Sequence, residues 1–325
     1  VSRVLVIGAS GFIGQYLVRH LLDRPEYQVS GTFNSRMIQS RMVQSRMIQS
    51  RMVQSRMIQS RVVPEGCCNW YRADLTDERE LGEVFGTVNP EIVVLLAAMA
   101  DVGQCEREYH LATKVNLIGT KNVTRLCDTY RVRLVFLSTE YVFDGERGNY
   151  REDETPAPTT HYGQTKWEAE QAVSRCRNPW GIIRTSLVYG WPAWADRANL
   201  VTRVIDNLTS GRPAYGHTDQ YRSPVYVEDL VRGIVKVMEE DYSGVSHLAG
   251  PDWANMGWFV QTVAETFQMD RSLVVQGEST APGAGGARPS RLGLDSTRSV
   301  ARLGFQPRGI VSGLKDMQAN RRERP

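Results

Sequence analysis

Tyr162 and Lys166, in His161-Tyr-Gly-Gln-Thr-Lys166, stand four residues apart, and Thr139 lies 23 residues before Tyr162 in Leu137-Ser-Thr-Glu-Tyr-Val-Phe-Asp-Gly145. On a helix, positions i and i+4 share a face, so this spacing lets an ammonium lie near a phenol. A neighbouring cation favours phenolate and lowers a phenol pKa from about 10. A phenol so placed is equipped to move a proton at a carbonyl. Ser138 precedes Thr139, and strand alternation turns only one of the two hydroxyls toward a common point.

Such groups need a frame. Arg3 to Ile7 is a short β-branched run, followed by Gly8-Ala-Ser-Gly-Phe-Ile-Gly14 and a helix-like stretch from Gln15 to Asp23. Further strands are expected at Gln28–Phe33, Asn69–Arg72, Ile92–Ala97, Arg133–Ser138 and Gly181–Thr185, with helices such as Glu78–Phe85 and Val115–Tyr130 between them. This alternation predicts an α/β fold, a Rossmann-type doubly wound parallel sheet covered on both faces. Residues 1–185 are expected to form the dinucleotide-binding domain. Residues 186–325, looser and punctuated by Pro, Gly and Trp, are expected to be mainly a smaller substrate lobe, with a segment at about 220–240 returning to the first domain. Residues 281–289 read as a long loop.

The 39 basic and 36 acidic residues nearly cancel, leaving +3. That balance argues against a nucleic-acid groove or a membrane face and for a small-molecule partner. The five cysteines, Cys67, Cys68, Cys105, Cys127 and Cys176, form no zinc-like or redox pair, and the five histidines show no ligand spacing, so no metal is expected. No apolar run is long enough to span a bilayer. With no signal-like apolar segment near Val1, the expectation is a reduced, cytoplasmic protein. From Ser35 the chain repeats Ser-Arg-Met-Ile/Val-Gln five times, and a sixth copy begins at Ser60. A period of five turns the apolar pair by about 140° per copy on a helix and flips it across a strand, so neither form has a clean apolar face. Residues 35–61 read as an expanded loop inserted between the second and third strands.

Gly8, Gly11 and Gly14 let backbone amides and a helix N-terminus approach a pyrophosphate; Ser10 lies in the same turn. The end of the second strand, Gly31-Thr-Phe-Asn-Ser-Arg36, has no acid to hold an adenosine ribose. Asn34, Ser35 and Arg36 instead suit a 2'-phosphate, which places NADP(H) ahead of NAD(H). Asp74, beside Leu75, either accepts from the adenine amino group or caps the next helix. Ala97, Ala98 and Met99 end the fourth strand with room for a ribose beside the backbone. Asn116, mid-helix where Asn has poor propensity, suggests a structural hydrogen bond or a water relay.

Taken together, Gly8–Gly14, Ala97-Ala98, Asn116, Ser138-Thr139, Tyr162-x-x-x-Lys166 and Arg184-Thr-Ser-Leu-Val-Tyr-Gly190 resemble an extended short-chain dehydrogenase/reductase. Ser138-Thr-Glu-Tyr-Val-Phe-Asp-Gly145, Tyr162-Gly-Gln-Thr-Lys166 and Arg288-Pro-Ser-Arg-Leu-Gly-Leu-Asp295 are most similar to dTDP-4-dehydrorhamnose reductases and the related regulatory β subunit of methionine adenosyltransferase. The resemblance runs from Val1 to about residue 315, apart from the repeat. It implies a Thr139-Tyr162-Lys166 triad, with Tyr162 giving a proton to the carbonyl oxygen, Thr139 hydrogen-bonding that oxygen, and Lys166 holding the nicotinamide ribose and tuning Tyr162. It also implies cofactor contacts at Phe12 and Ile13 and substrate contacts at Ser138, Glu140, Val142, Phe143, Ser186, Arg222 and Arg288.

Two departures stand out. Glu140 replaces the usual Asp, and Tyr141 occupies the place of a second acid that the superfamily's dehydratases require. Trp191, Trp194, Gln220 and Tyr221 are further candidates for stacking or packing in the substrate lobe. The expected activity is NADP(H)-dependent reduction of a nucleotide-activated 4-keto-6-deoxy sugar, in carbohydrate precursor synthesis. Its rivals are a regulatory subunit that binds NADP and a partner enzyme, and a sugar-nucleotide epimerase. A homodimer and a partner enzyme both remain open.

Overall fold

The computed structural model describes residues 1–34, 68–192, 198–241, 243–279 and 289–320. The pentapeptide tract with Ser35 and Arg36, and also Cys67, Trp194, Arg288 and nearly all of the 281–289 loop, lie outside the described residues.

Strands β1 (Ser2–Ile7), β2 (Tyr27–Phe33), β3 (Asn69–Arg72), β4 (Ile92–Leu95), β5 (Arg133–Thr139) and β6 (Trp180–Thr185) share one sheet with a later strand, β11 (Gly244–His247). Its order is β3-β2-β1-β4-β5-β6-β11, with every neighbouring pair parallel. The remaining strands, β7 (Val188–Tyr189), β8 (Ala214–His217), β9 (Tyr221–Arg222), β10 (Val225–Tyr226), β12 (Ala254–Asn255) and β13 (Val274–Gly277), form two-stranded pairs. The helices are α1 (Phe12–Leu22), α2 (Glu78–Val88), α3 (Val102–Arg107), α4 (Tyr109–Ala112), α5 (Gly119–Tyr130), α6 (His161–Val173), α7 (Leu200–Thr209), α8 (Val227–Glu239), α9 (Met256–Thr266), α10 (Thr297–Leu303) and α11 (Ile310–Ala319).

Period-two alternation explains why the central strands read as continuous apolar runs. Val4 and Val6 of β1 enter one core with α1 and α8, while Leu5 and Ile7 enter the opposite core with α2, α5 and α6. Each fully buried side chain of this kind contributes about 1.5–3 kcal/mol. A third core joins α7, α9 and α11. Beyond Thr185 the chain is thus richer in helix than its Pro and Gly punctuation suggests, and α8 and β11 return to the main sheet. Among the described residues no helix is long and apolar enough to cross a membrane.

Strand order reverses on either side of β1, so the crevice at the carboxyl ends of β1 and β4 is the natural ligand site of the sheet. The glycine turn, Ala97 and Thr139 all follow or close strands at that edge.

Candidate active site

The turn after β1 is built by contacts too close for side chains. A Cβ on Gly14 would collide with the Gly8 carbonyl oxygen and with Ala9, so only glycine lets α1 start this near the strand. Thr32 Oγ accepts from the Gly8 amide at 3.2 Å, and Gln15 Nε2 donates to the Ser10 carbonyl at 2.8 Å. Gly11 is the N-cap of α1 and supplies no side-chain acceptor. The first-turn amides of Phe12, Ile13 and Gly14 are therefore donors without an intrahelical partner, at the positive end of the helix dipole. These open donors, with the glycine cradle in front of them, fit a dinucleotide pyrophosphate. The Phe12 and Ile13 side chains pack the other way, into the third core.

At the ends of β2 and β3, Asn34, Arg72, Asp74 and Lys114 line a cleft of about 570 Å³. Asp74 does not cap α2; Asp77 does, accepting from the amides of Arg79 and Glu80. Asp74 instead accepts from the Thr76 amide at 2.8 Å and the Thr76 hydroxyl at 2.9 Å. Burial pushes its carboxyl up, but hydrogen bonds from Thr76 and Asn34 and the charge of Lys114 outweigh that and hold it below its usual range. Leu75 is a correction to the expected contact set. Its side chain is buried beneath Gly119, and its carbonyl accepts from Asn122.

Ala97 lies against Gly8 after β4, with Ala98 and Met99 following. Asn116 sits in a π-helical turn, Thr113–Ile118, ahead of α5. Its Oδ1 accepts from the Met99 amide at 2.8 Å, and its Nδ2 donates to the Met99 carbonyl at 3.0 Å and to Thr165 Oγ at 3.2 Å. Both ends of this buried side chain hold Met99, and its Nδ2 also joins it to α6. These are the structural hydrogen bonds that the mid-helix Asn116 suggests.

Thr139 closes β5, and α6 carries Tyr162 and Lys166 on the face toward it. Thr160 caps α6, accepting from the Gly163 amide at 3.1 Å. A Cβ on Gly163 would strike the Tyr141 carbonyl, so glycine lets the first turn of α6 press against the Glu140–Val142 turn that follows Thr139. The Tyr162 side chain is hydrogen-bonded to Thr139, and its ring meets Tyr141 edge to face at 5.7 Å. Lys166 Nζ donates to the Leu137 carbonyl at 2.7 Å and lies 4.0 Å from the centre of the Phe136 ring.

Burial, the largest influence on each, keeps both groups toward neutrality. The Lys166 ammonium is brought down to about 7, with Glu170 and Cys105 opposing the fall. The Tyr162 phenol is pushed well above its ordinary value; Thr139 acts downward, while Cys105, Tyr141 and Glu140 push further up. The lowered phenol pKa expected from the i, i+4 spacing is therefore reversed, because the ammonium is drawn to the strand carbonyl and the phenol loses water. A phenol in this state keeps its proton at neutral pH.

Several expected substrate contacts belong to the scaffold. Ser138 donates to Glu170 Oε1 at 2.5 Å, and Glu170 pairs with buried Arg184 at 2.8 Å. Val142 and Phe143 are core residues, with Phe143 stacked on Tyr150 at 4.3 Å and the Arg184 guanidinium over its ring. All three are corrected from substrate contacts to supports, since their side chains are already packed or bonded.

Glu140 and Arg222 form a buried pair at 3.3 Å. Burial raises the Glu140 carboxyl to about 7 against the pull of Arg222, Ser186 and the Gly293 amide. Ser186 Oγ also accepts from the Ser223 amide. Arg222 further donates to the carbonyls of Tyr221, Pro289 and Ser290. Glu140 thus meets both Arg222 and Ser186 at a buried junction beside Tyr141. Trp191 is buried, donating to the Met317 carbonyl at 2.6 Å, and Gln220 is buried as well. Sequence reasoning missed Glu170, for which the i+4 spacing from Lys166 was the available signal, and the place of Arg72 in the cleft lining.

The chain is similar along nearly its whole length to known proteins. The model of the RmlD substrate binding domain matches residues 2–322. A protein of Haloferax volcanii named "Probable low-salt glycan biosynthesis reductase Agl14" is 27% identical, over 97% of this chain and 96% of its own. A dTDP-4-dehydrorhamnose reductase of Aggregatibacter actinomycetemcomitans is 23% identical over 98% and 99%. The crystal structure of dTDP-4-dehydrorhamnose reductase from Bacillus anthracis in complex with NADP superposes with a TM-score of 0.78 at 25% identity, covering 98% of this chain and 99% of that one. The chain belongs to the RmlD substrate-binding domain family.

Proposed function

We propose that this protein is an NADP(H)-dependent oxidoreductase that reduces the ketone of a nucleotide-activated 4-keto-6-deoxy sugar. The observation that carries the reading is the buried Tyr162 phenol, held protonated beside Thr139 at the carboxyl edge of the sheet. Bound NADPH supplies a hydride to the ketone carbon. As negative charge grows on the ketone oxygen, Tyr162 gives it a proton and the Thr139 hydroxyl donates a hydrogen bond to it. Lys166, anchored on the Leu137 carbonyl one helical turn from Tyr162, holds the ribose end of the nicotinamide. The glycine turn and the open amides of α1 hold the pyrophosphate. On this reading residues 1–185 bind cofactor, and residues 186–325 mainly bind the sugar nucleotide.

Dehydration requires an acid/base pair after the threonine. Here Glu140 is buried against Arg222 and the next residue is Tyr141, which supports simple reduction.

Purified protein mixed with NADPH and dTDP-4-keto-6-deoxy sugars is expected to consume NADPH absorbance in step with sugar alcohol formed. Tyr162→Phe is expected to lower kcat by about 10²–10⁴-fold while leaving NADPH affinity within about twofold. Tight NADPH binding with no oxidation across a panel of keto sugars would sink the reductase and favour a regulatory subunit.

A further inference from the structure

The cleft beyond β2 and β3 holds more charge than a nucleoside needs, and most of it is already committed. Its lining includes the acids Asp74, Asp77, Glu78 and Glu80 and the cations Arg72, Arg79 and Lys114. Asp77 caps α2, Glu78 pairs with Arg125 at 2.6 Å, Arg79 pairs with Glu83 at 3.0 Å, and Glu80 accepts from the Asp74 amide at 2.9 Å. Asp74 is held by Thr76 and Asn34, and the charge it leaves in the cleft is faced by Lys114. Arg72 is the guanidinium of this lining with no hydrogen bond or ion pair among the described residues, and it is exposed.

Its place follows from register. Arg72 stands opposite Phe33 across the β2–β3 pair, and the Ala73 amide donates to the Phe33 carbonyl at 3.0 Å. The two strand ends are thereby locked, so Arg72 sits next to Asn34, where the second strand of a dinucleotide fold presents its adenosine ribose. A planar guanidinium matches a phosphate through paired N–H donors better than an ammonium does. We propose that Arg72 is the residue that selects the 2'-phosphate of NADP(H), with Lys114 cancelling Asp74 so that the cleft does not repel that phosphate. The selecting cation then comes from the third strand. This rests on the cofactor reading above but not on the identity of the sugar.

The test measures binding alone, by fluorescence titration of NADPH and NADH and by competition with adenosine 2',5'-bisphosphate and 5'-AMP. Arg72→Gln is expected to weaken NADPH and the bisphosphate by about tenfold or more, with NADH and 5'-AMP changed by less than about twofold. Arg72→Lys should recover part of the loss. An equal loss for all four ligands, or no loss for NADPH, overturns the proposal, as does a parent protein that binds NADPH no tighter than NADH. Because no keto sugar is present, failure of the reductase reading, seen as absent turnover, is separate from each of these outcomes.

Discussion

Lys166 and Tyr162 show how burial sets chemistry at a single residue. The unfolded chain protonates Lys166 up to about 10.5, whereas the folded protein lets go of that proton at about 7. Between those values the unfolded state binds more protons, so this residue makes stability rise with pH through the window from about 7 to 10.5 and costs most below it. Urea titrations of Lys166→Met are expected to lose that rise and to gain stability near pH 6, at the expense of turnover. A pH dependence unchanged from the parent would refute the buried-ammonium account. Glu140 acts in the opposite sense: its folded pKa of about 7 lies above the ordinary 4.5, so its contribution is fullest at low pH and declines as pH rises between those values. Residue type and spacing made Tyr162 a candidate and left Ser138 and Thr139 as alternatives beside it, of which the structure ties Ser138 to Glu170. The direction of the phenol shift was not legible, since spacing along a helix says nothing of which carbonyl an ammonium will reach.

At the scale of elements, two glycines separate binding from catalysis. Gly14→Ala forces α1 away from β1 and should cost NADPH affinity at least tenfold, because the first-turn amides move with the helix. Gly163→Ala instead pushes α6 off the Glu140–Val142 turn; overpacking of this kind costs about 1–3 kcal/mol. It is expected to lower kcat more than it raises the NADPH dissociation constant, since Tyr162 and Thr139 ride on the two parts being separated. Equal effects of both variants on affinity and kcat would show that the turn and the tyrosine helix move as one unit. The six strands from β1 to β6 were readable from β-branched runs between turn residues. The π-helical turn at Asn116 was not, because it follows from hydrogen bonds to Met99 and Thr165 and not from local propensity.

Across the whole molecule, the Glu140–Arg222 pair joins the end of β5 to β9, a strand of the later half of the chain. Removing one member of a buried pair leaves a charge without compensation, and Arg222→Met is expected to destabilise by about 3–5 kcal/mol. The loss should be greater at pH 8 than at pH 5, where Glu140 takes up a proton; chemical denaturation at the two pH values measures it, and an equal loss would argue that packing dominates. The sequence by itself determined the alternating α/β pattern, the glycine turn and the types of the reacting groups, because strand period, helix period and the steric needs of glycine are local properties of the chain. Tertiary structure alone decided that Lys166 turns to Leu137, that Ser138 serves Glu170 while Thr139 serves Tyr162, that Glu140 meets Arg222, and that Arg72 stands beside Asn34. Each of these depends on which distant segments pack together and how much water that packing removes, and neither quantity is written in any short stretch of residues.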